Sequence, residues 1–192
     1  MKSKFYFILI FLVSCVACSQ KNTLENPTLI QSLEQVWTAP QTAQKQLQQI
    51  AYDQLNTYEQ HRYALAEAHV QLKLYSTIPP HISTNDLAWY FLAQGDAASA
   101  SEAYYIQGAY LNWLGKNTQA MQYLKEAENL ATTPIIRGMT YYKMGRISES
   151  EQLYDIALEN YHKALPHLIE ADVPLYLASV YRELGRMSDI SS

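Results

Sequence analysis

Two stretches of this chain repeat at a fixed offset. SEAYYIQGAYLNWLGKNTQAMQYLKEAENL, from residue 101, lines up with GMTYYKMGRISESEQLYDIALENYHKALPHL, from residue 138. Tyr104 matches Tyr141, Gly108 matches Gly145, Ala120 matches Ala157, Leu124 matches Tyr161 and Ala127 matches Ala164, each pair 37 residues apart. An offset that preserves side-chain size marks a repeat, whose units bury their apolar faces only by stacking on one another. A partial third copy continues through Ala178, Tyr181, Leu184 and Gly185, with Ala178 placed 33 residues after Gly145.

The pattern inside each copy is helical, and helical periodicity extends back to about residue 27. Asn26-Pro27 opens a first helix with Leu29, Ile30, Leu33, Val36 and Trp37 on one face. Pro40 starts a second, with Ala43, Leu47, Ile50 and Ala51 inward. Thr57 with Gln60 forms a capping box for a longer helix whose core candidates are Ala64, Leu65, Ala68, Leu72 and Tyr75. Thr84 caps a fourth helix, apolar nearly all round and so expected to be buried. Strand signals are nearly absent after residue 25. The reading is an all-α chain of about nine helices paired into hairpins, a solenoid whose last unit is incomplete.

The repeat resembles the tetratricopeptide repeat (TPR), a 34-residue helix–turn–helix unit. Gly108, Gly145 and Ala178 fall where the two helices of a unit approach most closely, with Ala120, Ala127, Ala157 and Ala164 on the second helices. Tyr104, Tyr141 and Tyr161 are the expected filling between helices. Pro166 falls inside a second helix and is expected to kink or end it. The resemblance implies a groove lined by the first helices. By repeat phase its residues are Tyr105, Ala109, Asn112 and Trp113, then Tyr142, Arg146 and Glu149, then Tyr176, Ser179 and Arg182. Aromatic and arginine side chains dominate binding hot spots, so such a surface suits an extended peptide or a sugar-like ligand.

The N-terminus reads as an address. Lys2 and Lys4 precede the apolar run FYFILIFLV at residues 5–13, which is signal-peptide length and too short to span a bilayer. Leu12-Val13-Ser14-Cys15 resembles the bacterial lipobox, which implies acylation of Cys15, with Cys18 as the alternative. The whole layout is also similar to lipid- or membrane-anchored TPR proteins of Bacteroidetes, through this lipobox, the LAEAHVQLKLY helix followed by a Pro loop, and the MGRI and RELGR motifs. The organisation is then a lipoprotein signal peptide over 1–17, a polar tether over 18–27, TPR-like helical pairs over 28–96, a TPR array over 97–186 and a tail over 187–192. The third unit has its first helix, over about 173–185, and no second.

Composition narrows the chemistry. Setting aside Lys2 and Lys4, 12 basic side chains face 18 acidic ones, a poor match for nucleic acid. Both cysteines lie at the N-terminus, so no thiol nucleophile or Cys-based metal site is expected in the body. His61 and His69, and His162 and His167, lack a metal-site arrangement and read as helix-surface or partly packed residues. Lys143, Arg146, Arg182 and Arg186 form the only local basic excess, a common helix-end feature. No cofactor, metal or catalytic residue is expected. The expectation is a non-enzymatic module at the bacterial cell envelope, facing the periplasm, that binds a protein or peptide partner through its groove. The alternatives are the ligand-sensing half of a TPR-containing regulator and an accessory lipoprotein of glycan uptake or envelope assembly. The anchor is directly testable: Cys15→Ala is expected to abolish metabolic labelling with a radioactive fatty acid, and retained labelling moves the site to Cys18.

Overall fold

The computed structural model describes residues 23–190. Cys15 and Cys18, the leader and the start of the tether lie outside the described residues. Among those described, the chain is all-α, with nine helices packed mostly against their sequence neighbours and no strand. They are α1 (Pro27–Gln35), α2 (Pro40–Leu47), α3 (Thr57–Lys73), α4 (Thr84–Ala93), α5 (Ala97–Trp113), α6 (Asn117–Leu130), α7 (Pro134–Ser150), α8 (Tyr154–Glu170) and α9 (Pro174–Ile190).

Local chemistry sets the helix starts. The Asn26 side chain accepts the Leu29 N–H at 3.0 Å, and Pro27 contributes no N–H where none is needed. At α3 the capping box lies one residue earlier than the sequence suggested: Asn56 accepts from Glu59 N–H, and the Glu59 carboxylate accepts from Asn56 N–H at 3.1 Å. The same carboxylate accepts from Glu25 N–H at 2.7 Å and Asn26 N–H at 2.6 Å, tying the start of α1 to the start of α3. Burial pushes the Glu59 pKa up, and these three backbone donors win, holding it below the usual carboxylate value. Ser83 rather than Thr84 caps α4, because its hydroxyl reaches the Asp86 N–H.

The hairpins α5–α6 and α7–α8 close on small residues. A Cβ on Gly108 would lie 2.7 Å from Leu124 Cγ, and one on Gly145 would lie 2.6 Å from the Tyr161 ring. Gly138 makes the same kind of contact, with Leu168 at 2.7 Å. On the opposing helices Ala120, Ala127, Ala157 and Ala164 are fully buried, as expected. Bulk on each helix sits over a gap in the other, which is ridge-into-groove packing at short range.

The phase of the third unit differs from the sequence reading. Gly108, Gly145 and Gly185 each stand twelfth in a helix of 17 residues, so Gly185, not Ala178, is the counterpart of Gly145. The step from α7 to α9 is 40 residues, because α8 has 17 residues where α6 has 14. Pro166 does not end α8. It and His162, whose carbonyl loses the Pro166 amide as a partner, both lie on the exposed face of the helix, where a lost backbone hydrogen bond costs least. Likewise α9 runs past Arg186, where the array was expected to close. Helix α4 is only one-sided: Phe91 is buried, while Trp89 is 64% exposed.

Two apolar cores result. The larger spans α3 to α9, and a smaller one joins Leu29, Val36, Ala43, Leu47 and Leu55 to Ala66 and Val70 of α3. Helix α3 is the wall between them, and Trp37, in the turn after α1, packs against both. The glycine contacts yield a paired prediction. Gly145→Ala should lower stability by about 1–3 kcal/mol through overpacking against Tyr161. Gly185→Ala, where a methyl group meets nothing within 4 Å among the described residues, should raise it by about 0.5–1 kcal/mol through helix propensity. Urea titration monitored by circular dichroism measures both.

Candidate functional site: the first-helix face

The first helices α3, α5, α7 and α9 lie along one side of the array, and the residues expected to line a groove divide there into two groups. Tyr105 is 1% exposed and Tyr142 8%, so neither is open surface. Both stand ninth in their helices and point into the core shared with the neighbouring hairpin. Tyr104 and Tyr141, expected to be the filling, are instead partly buried at the edge, against Tyr123 and His167 of the second helices. Tyr161 is fully buried, as expected. The side chains of Arg146 and Arg182 are 48% and 67% exposed. Asn112 and Trp113 lie at the far end of α5, where Asn112 bonds Asn117 at 3.1 Å and Trp113 packs on Tyr110. They do not join the others.

What gathers around Tyr176 is a set that the sequence reading did not assemble. The Tyr176 hydroxyl donates to the Trp37 carbonyl at 3.0 Å and accepts from Lys73 Nζ at 2.8 Å. The same Nζ sits 4.1 Å from the Trp37 ring centre and 4.6 Å from that of Tyr176. Trp37 meets His69 edge-on at 4.3 Å and Tyr105 at 5.5 Å. His69, expected on the helix surface, is fully buried and bonds Glu102 at 2.8 Å. A seat of aromatic rings around the Lys73 amino group therefore joins the α1–α2 turn to α3, α5 and α9.

The electrostatics follow from burial. Burial pulls the His69 pKa down against the pull of Glu102, so the imidazole is neutral and donates through Nδ1. Burial works against the Glu102 carboxylate too, but the hydrogen bond from His69 and the nearby Arg62 charge hold its pKa below the usual value. Lys73 is lowered to about 7 by burial and then by the Lys143 charge, with Glu102 opposing. Lys143 is itself lowered by burial and by Arg146. Burial pushes the Tyr176 phenol up to about 12, so it stays protonated as a donor.

Beside the seat, three arginines meet two carboxylates. Arg186 pairs with Glu149 and bonds Glu183, Arg182 meets Glu183 at 3.0 Å, and Arg146 stands 3.7 Å from it. The cluster links α7 to α9 and keeps a net positive charge. Among the described residues there is no group of three or more metal-ligating side chains, and no helix is long and apolar enough to cross a membrane. No family model matches the chain, and neither the curated proteins nor the solved structures provide a match.

Lys73 makes the seat sensitive to pH. Its folded pKa of about 7 lies below its ordinary value of 10.5, so the folded chain binds fewer protons between those values than the unfolded chain. The Lys73 contribution therefore raises stability as pH climbs from 7 towards 10, and that gain is lost as pH falls back to 7. Melting temperatures between pH 7 and 9 should rise for the wild type, and Lys73→Met should flatten the rise.

Proposed function

We propose that this chain is a non-enzymatic TPR module. In this reading acylated Cys15, or Cys18, holds it at a bacterial envelope membrane with the helical body facing the periplasm. It binds a segment of a partner protein along the first-helix face and so scaffolds or signals. The hairpins in chain order, the close glycine contacts and the recurring alanines of the second helices all support a TPR-type array.

The observation that carries the binding reading is the state of two arginines. Arg146 and Arg182 remain exposed on adjoining first helices, next to a partly buried aromatic seat and within a cluster that keeps excess positive charge. Guanidinium groups with free donors beside aromatic rings suit a segment that carries carboxylates. Tyr105 and Tyr142 form the floor beneath it rather than direct contacts. The test is capture from envelope extract on the immobilised full chain, with the retained protein identified. Replacing Arg146 and Arg182 together by Ala should reduce its recovery about tenfold or more, the effect of ~1.4 kcal/mol, with helical circular dichroism unchanged. Equal recovery by both chains would remove the first-helix face from the account.

A further inference from the structure

The α1–α2 hairpin is attached to the rest of the array in an unusual way. Its apolar cluster is shared with Ala66 and Val70 of α3 and is separate from the main core, and Trp37 packs against both. The contacts that hold Trp37 come from α3, α5 and α9, and the Tyr176–Trp37 hydrogen bond spans 139 residues of sequence. Trp37 enters this seat as a ligand would: its ring lies against His69, Tyr105 and the Lys73 amine, and its backbone carbonyl accepts a hydrogen bond from the Tyr176 hydroxyl.

The fit next to the seat is incomplete. The α1–α2 hairpin and the residues leading into it form a strap, and a cavity of about 300 Å³ lies between its Leu24, Leu33 and Trp37 and α3 with the starts of α5 and α7. Arg62 Nε and Thr133 Oγ1 belong to side chains lining it, are buried, and have no hydrogen-bond partner among the described residues. Buried polar groups left unsatisfied make a contact costly to keep. A strap that leaves such groups unsatisfied is easier to displace than one that satisfies them.

Accepting the first-helix face as the binding surface, we propose that the α1–α2 hairpin is a self-ligand of that face: Trp37 fills an aromatic seat, and a partner segment enters by placing its own aromatic residue there. The partner then resembles Trp37 in chemistry, with a flat aromatic ring for Lys73 and Tyr105 and a backbone carbonyl for the Tyr176 hydroxyl. Carboxylates further along the segment reach Arg146 and Arg182. Among the described residues, the charged groups around the seat are Lys73 and Arg62 of α3, Glu102 of α5 and Lys143 of α7, with the Tyr176 phenol of α9, so the Lys73 amine lies against aromatic faces with Glu102 as the anion that favours its charge.

Hydrogen exchange on the full chain tests the proposal without any partner. In Trp37→Ala, residues 27–47 and the first turns of α9 should lose protection, while residues 97–170 keep theirs. Millimolar N-acetyl-tryptophanamide, which carries an indole and amide carbonyls, should restore protection to the start of α9 but not to residues 27–47. The free indole fills the seat without replacing the strap. Exchange that spreads through 97–170 overturns the proposal, because Trp37 is then a member of one shared core. Failure of the amide to restore α9 overturns it too, because the seat then takes no separate aromatic group. Tyr176→Phe keeps the ring and removes both hydroxyl bonds; faster exchange confined to 27–47 is expected, and unchanged exchange there overturns the proposal. These readouts are independent of capture by Arg146 and Arg182, so the strap and the binding surface can fail separately.

Discussion

The hairpins of this chain depend on missing side chains. Gly108, Gly138 and Gly145 leave room for Leu124, Leu168 and Tyr161 to sit directly on the opposing helix backbone. Fully buried alanines on α6 and α8 leave room in return. At such separations one added methyl group is felt, because the interior is already close-packed. The rest of the architecture follows from that spacing. Once two helices close this tightly, each hairpin presents a fixed apolar flank, and the next hairpin covers it.

A second attachment works on different physics. The α1–α2 hairpin packs its apolar residues on Ala66 and Val70 of α3 and meets the main core through Trp37, and two polar arrangements add to that packing. At one end the Glu59 carboxylate gathers backbone donors from Glu25, Asn26 and Asn56. At the other, Trp37 is enclosed by rings, an amine and a phenol. Charge-assisted and aromatic contacts of this kind are directional. They fix where the hairpin sits, and the proposed entry of a partner's aromatic residue would act on them rather than on the glycine-to-tyrosine packing.

Functional interest therefore concentrates where the two attachments meet. The first-helix face has a tight apolar floor of Tyr105 and Tyr142, an aromatic seat occupied by Trp37, and a charged flank linking α7 to α9. Sequence reasoning found the flank, because Arg146 and Arg182 stand out in a chain with only 14 basic residues. It also found Tyr176. It placed Tyr105 and Tyr142 on the wrong side of the surface by treating every repeat as a standard groove. It missed Lys73 and His69 because a lone lysine or histidine on a helix reads as solvated, and nothing local signals burial.

The sequence by itself determined the helices, their pairing and the close approach at Gly108 and Gly145. Those features depend on neighbours a few tens of residues apart, and the 37-residue offset records them. Tertiary structure alone decided the phase of α9, since that depends on α8 running through Pro166 on its exposed face. It alone decided that Trp37 meets Tyr176. Contacts across 139 residues leave no periodicity in a single chain, because they depend on the summed rotation of every hairpin between them.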